Sequence, residues 1–152
     1  MKKLLLASAF LVLGGCASTG SSTATDGTGF SDTMEIIRTA SAQAPEVVTG
    51  DYTLFVKAIG QKRGAVFLNT ELDYRDQRNV TIVVPKWMLP KMGIENFHGI
   101  EAKFLHQAIS VHGDAMRTKI YLMIGDEPSD TFYYQTHIVP AKPTDIKVIA
   151  SK

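Results

Sequence analysis

The 152 residues contain one cysteine, one tryptophan and four histidines. A single cysteine excludes any disulfide within the chain, so an exported domain would have to be held by its apolar core. The histidines stand at positions 98, 106, 112 and 137 with no second cysteine, and none of the tight local ligand pairs that build zinc sites is formed. An excess of one charge is also missing, because 16 Lys and Arg face 15 Asp and Glu. Strong nucleic-acid binders carry a clear basic excess, so this balance argues against that class. Nor is there an apolar run of about 20 residues, the length that crosses a bilayer core. No glycine loop of the phosphate-cradling kind occurs. What remains is a short apolar first segment, a polar tract and a body with strand periodicity.

Lys2 and Lys3 precede an apolar stretch at 4–13, which exits through Leu13-Gly14-Gly15-Cys16. Ten residues make a helix of roughly 15 Å, long enough to enter a translocon and too short to span a membrane. The Leu-Gly-Gly-Cys exit resembles the bacterial lipobox. That resemblance implies that residues 1–15 are a signal peptide cut before Cys16, and that Cys16 is the site of lipid attachment. One acyl chain binds a membrane only marginally, and lipoproteins of this kind carry three. Ala17 rather than Asp follows the cysteine. By resemblance to Gram-negative lipoproteins, this implies an outer-membrane lipoprotein facing the periplasm.

Residues 17–29 read "ASTGSSTATDGTG" and offer almost nothing apolar to bury. Residues 16–29 are therefore expected to be the lipidated cysteine and a flexible linker with a reach of roughly 20 Å. Without Lys2 and Lys3, 14 basic residues face 15 acidic ones, and the net charge passes from +1 to −1.

Residues 30–152 are expected to form one domain. Asp32 can cap a helix, with Glu35 at capping-box spacing and Met34, Ile37 and Ala40 on one face, until Pro45 stops it. After Gly50 the period is two: runs near 54–59, 66–69 and 80–84 alternate and are rich in β-branched and aromatic residues. The stretch "KWMLPKMGIENFHG" at 86–99 breaks that period and predicts a short helical connection. Strands are predicted at 105–111 and 119–124, flanking "HGDAMRT" at 112–118 as a hairpin loop. Further strands are predicted at 131–139 and 145–149, with Pro140 and Pro143 marking the last turn. Three strands, a short helix and more strands give a mainly β fold. The order is that of an OB-type Greek-key barrel with a helix between strands 3 and 4 and an N-terminal helix; a β-sandwich is the rival. "GAVFLN" at 64–69, "NVTIVV" at 79–84, "ISVHG" at 109–113 and "YQTHI" at 134–138 resemble bacterial OB-fold domains of the nucleic-acid-binding-like group. That group is distantly related to thermonuclease-type barrels, and the likeness covers about residues 50–150.

The one dense charge cluster is "ELDYRDQR" at 71–78, where Glu71, Asp73, Arg75, Asp76 and Arg78 alternate in sign. Such charges on a loop pair with one another at little net gain, and their spacing does not match the acids and arginines of the nuclease. His106 and His112 on one strand would lie about 20 Å apart, too far to share an ion. Ser110 and His112 would be about 6.6 Å apart, whereas a nucleophile and its base need roughly 3 Å. No catalytic residue, metal site or cofactor is therefore expected. OB barrels bind ligands between the loop joining strands 1 and 2 and the loop joining strands 4 and 5. Here those loops are 61–64 and 113–118, and the candidate ligand-binding residues are Lys62, Arg63, Phe67, Asn69, Arg117 and Lys119. A basic rim around an aromatic suits an anionic or glycan ligand, or a protein partner. The expected function is a lipid-anchored envelope lipoprotein whose OB-fold domain binds a partner or ligand without catalysis. The alternatives are an envelope nuclease or hydrolase on the same barrel, and a purely structural lipoprotein.

Overall fold

The structure, a computed structural model, describes Thr25, residues 29–62 and residues 64–149. The segment expected to be a signal peptide, Cys16, most of the expected linker and Arg63 lie outside the described residues. The elements are α1 (Thr33–Gln43), β1 (Val48–Phe55), β2 (Ala58–Lys62), β3 (Ala65–Asn69), β4 (Val80–Pro85), α2 (Phe97–Phe104), β5 (Ala108–Ile124), β6 (Glu127–Val139) and β7 (Ile146–Val148).

The fold is mainly β, with one seven-stranded sheet in the order β1-β5-β6-β4-β3-β2 and β7 paired to β5. All ladders are antiparallel except β4 with β6, which is parallel. The path is not closed, because β1 and β2 stand at its two ends. In the chain, however, only Val56 and Lys57 separate them. The run predicted at 54–59 is thus two strands that bend apart at this point. Val56 binds back to the α2–β5 connection through Gln107 and His106, while Lys57 donates to the Asn69 carbonyl of β3.

Alternation sends Leu54, Val66, Leu68, Val80, Ile82, Val84, Ile109, Val111, Ala115 and Ile138 to one buried face. Ile36 and Ala40 of α1 and Ile100 and Phe104 of α2 join the same core. α1 begins at Asp32, whose carboxylate accepts from the Met34 amide at 2.9 Å. The expected capping box is not made, since Glu35 is held by Arg38 and Thr39 instead. The packed face also differs: Ile36 is buried, Ile37 is partly buried, and Met34 points outward. In the 86–99 connection two 3-10 turns, Lys86–Met88 and Pro90–Met92, precede α2. Gly93 takes a left-handed φ of 72° between them and the helix. Asn96 then caps α2 through the Gly99 amide, and the helix runs to Phe104, beyond its predicted end.

The largest correction concerns 105–124. Residues 112–118 are not a hairpin loop but the middle of β5, one strand of 17 residues. Its first part pairs with β1 up to Ala115, and its second part pairs with β6 from Asp114 onward. The true turn is Gly125-Asp126. His106 sits before the strand with φ 58°, so His106 and His112 do not share a strand face.

Candidate functional site

The candidate groove residues do not converge. Lys62 is exposed at the end of β2, next to the turn at Gly64. Ladder register sets which side each strand residue faces, since side chains alternate. Leu68 pairs with Ile82 on the core side, so Phe67 and Asn69 face outward, with Val83 and Thr81 as partners. His137 and Met116 share that outer face. Arg117 pairs with Thr136 and Lys119 with Tyr134, in phase with the core pair Ala115 and Ile138. Arg117 and Lys119 therefore lie on the opposite face of the sheet from Phe67 and Asn69.

The outer face around Phe67 is largely occupied by the protein itself. The Phe67 ring tilts against the His137 ring at 6.4 Å. Asn69 is buried, and its side-chain carbonyl accepts from Thr81 Oγ1 at 2.8 Å and Asn79 Nδ2 at 3.3 Å. Asn79 also donates to the Tyr74 carbonyl, and its own side-chain oxygen accepts from the Glu71 amide. Gln135 donates to the same Tyr74 carbonyl and meets His137 Nε2 at 2.9 Å. The 71–79 loop is thus pinned across this face. Burial holds His137 below its ordinary pKa, so it is neutral at pH 7. Asn79, Val80 and Thr81 are buried as well.

Within the loop the charges pair locally: Asp73 with Arg75, Asp76 with Arg78, and Glu71 with Lys57 of the β1–β2 bend. The Arg78 guanidinium and amide hold the Asp76 carboxyl down to about 2. Among the described residues, no three His, Cys, Asp or Glu side chains are grouped to hold a metal. Two shallow cavities flank the loop. One of about 250 Å³ lies between Phe30, Phe55, Lys57 and Glu71. The other, about 170 Å³, lies between Ile37, Arg75, Arg117 and Tyr134.

Arg117 and Lys119 instead open a surface that the sequence reading did not foresee. β4 covers β6 only at Thr136–Ile138, and β1 covers β5 only to Ala115. Past these points β5 and β6 continue as a two-stranded arm, joined to each other and, among the described residues, to no other strand. The buried side of the sheet runs on along the arm as Arg117, Lys119 and Tyr121 facing Tyr134 and Phe132. The Arg117 guanidinium lies 3.6 Å from the Tyr134 ring centre, and Lys119 Nζ lies 3.8 Å from that of Phe132. Phe132 meets Tyr134 and Tyr121 edge-on at 5.6 and 6.1 Å. Each exposed cation–aromatic contact contributes about 0.5–1 kcal/mol, enough to set side-chain direction but not to shield the rings. Tyr121, Leu122, Met123, Phe132 and Tyr134 stay 42–50% exposed, and Ile124 75%.

The signal for this arm was present in the sequence as "KIYLMIGDEPSDTFYY" at 119–134. It combines a Gly-Asp turn with apolar residues on both faces, where a barrel strand would carry polar residues on one. Comparisons with protein-family models, curated proteins and solved structures return no match. Among the described residues, no helix is long and apolar enough to cross a membrane.

Proposed function

We propose that this chain is a lipid-anchored envelope lipoprotein, held at the outer membrane through Cys16 and facing the periplasm, whose OB-type domain binds a partner and catalyses nothing. The OB reading treats β1 and β2 as one bent first strand. It then pairs with the second strand (β3) at one end and the fourth (β5) at the other. β4 is the third strand, α2 the connection, and β6 the fifth strand returning beside β4. Such a path fits a partly open Greek-key barrel of five strands.

The observation that carries the binding reading is the exposed stripe of Arg117, Lys119, Tyr121, Phe132 and Tyr134 on the arm. Two-stranded ribbons are marginal in water by themselves, and aromatic and arginine side chains are the types that dominate interface energetics. A non-catalytic role is supported by the acids of 71–78, each of which is already engaged by a cation of its own neighbourhood.

Two measurements test the proposal. Cys16→Ser should abolish metabolic lipid labelling and leave the chain uncut or released from membranes; a processed, membrane-bound Ser variant would refute the anchor. Phe132→Ser/Tyr134→Ser should leave the thermal melt of the core in place while removing chemically cross-linked species seen with wild type in envelopes. Cross-linked species that persist unchanged in this variant would refute the arm as the binding surface.

A further inference from the structure

The arm is charged unevenly along its length. Arg117 and Lys119 stand at its base, while Asp126, Glu127 and Asp130 crowd its tip and are all exposed. Among the described residues none of these five forms an ion pair across the arm or with the barrel. Between base and tip lie Tyr121, Leu122, Met123 and Phe132, which are half exposed. The base-to-tip distance is 7–9 residues, or roughly 25–30 Å of strand.

Resting on the reading of the arm as the binding surface, we infer that its partner is a second copy of this chain. Two arms pack face to face, antiparallel about a two-fold axis. The acidic tip of each lies beside the basic base of the other, and the aromatic stripes meet at the centre. A surface that is acidic at one end and basic at the other is complementary to itself when turned end for end, as a two-fold interface requires. The six large apolar residues of the arm are 42–75% exposed. Of these, Tyr121, Phe132 and Tyr134 share the face of Arg117 and Lys119. At roughly 200 Å² for a large side chain, their exposed part is on the order of 300 Å² per copy, below the ~800 Å² per partner of a standard interface. The charged ends therefore carry much of the contact, and the association is weak. An anionic lipid surface fits less well, because three uncompensated acids would enter it first.

The test is a charge exchange on the full chain in mild detergent, with mass measured by sedimentation up to about 100 µM, since self-association depends on protomer concentration. Asp126→Lys/Asp130→Lys reverses the tip, and Arg117→Glu/Lys119→Glu reverses the base. Each variant alone should associate at least tenfold more weakly than wild type. A 1:1 mixture of the two should associate as wild type does, because each altered end then faces an opposite charge. A monomeric wild type, or reversed variants that associate as well as wild type, overturns the inference. A monomeric wild type whose envelope cross-links still depend on Phe132 and Tyr134 overturns only the second copy and leaves the arm as a surface for another partner. Flotation of the tip-reversed variant with anionic vesicles more strongly than wild type, without mixture rescue, assigns the arm to membrane and likewise overturns the dimer.

Discussion

Replacing Gly113 with alanine adds one methyl group where β5 passes from β1 to β6. A Cβ at that position would stand 2.7 Å from the Val139 carbonyl oxygen, 3.0 Å from its carbon and 3.1 Å from the Pro140 nitrogen. All three atoms are backbone, and Val139 is itself held in register with Asp114. The added carbon cannot be absorbed by turning a side chain, so one strand must move. Overpacking of this kind costs about 1–3 kcal/mol, and the rigid neighbours place Gly113→Ala at the upper end. For a domain of this size the melting temperature should fall by roughly 10 °C. Gly60→Ala in β2 is the control, since nothing lies within 4 Å of a Cβ there; its melt should stay level or rise slightly. Circular dichroism melts of the three full-length proteins decide the matter. Were residues 112–118 an open hairpin loop, Gly113→Ala would melt with wild type, and that result would refute the continuous β5.

Burial, aided by Asp114 and Asp51, pushes the Tyr52 hydroxyl up to about 12. Because the unfolded chain ionises first, the stability it contributes is intact below about pH 10 and is lost as pH climbs toward 12; urea midpoints should fall across that window and level out in Tyr52→Phe. His137 is shifted the other way, so its contribution is intact above its ordinary 6.5 and is lost as pH drops below it. Urea midpoints should decline less on that side in His137→Gln, and an unchanged decline would refute the buried neutral ring. Asn79→Ala strips partners from Asn69, Thr81 and the Glu71 amide, and should cost about 2–3 kcal/mol in urea unfolding; a change below about 0.5 kcal/mol would mean the 71–79 loop is not pinned.

The sequence was most legible where burial follows local alternation. Val66 and Leu68 against Phe67, and Val80, Ile82 and Val84 against Thr81, put the core side of β3 and β4 where the period of two predicts. It was least legible where a residue serves a distant neighbour. His112, Gly113 and Asp114 look like turn residues, yet Gly113 is small because Val139 crosses it, and Asp114 sits beside Thr49 of β1. That misreading placed Arg117 on a loop, with Lys119 just after it, beside Phe67. Which face they share depends on the register of β5 with β6 and of β6 with β4, pairings that lie outside any local pattern. Asn69 alternates outward from Leu68, but its covering by the 71–79 loop depends on Asn79 and Gln135 reaching one carbonyl. The arm escaped notice because its apolar residues have the pattern of a buried strand while its neighbours end short of it.

A photo-cross-linking amino acid placed singly at Phe132, Tyr121, Phe67 and Lys62 of the full chain in living cells tests the central claim most directly. The first two positions sample the arm, and the last two sample the groove inferred from the sequence. Adducts should form at Phe132 and Tyr121, with Phe67 and Lys62 silent. Adducts confined to Phe67 or Lys62, or none at any of the four, would contradict a partner-binding arm.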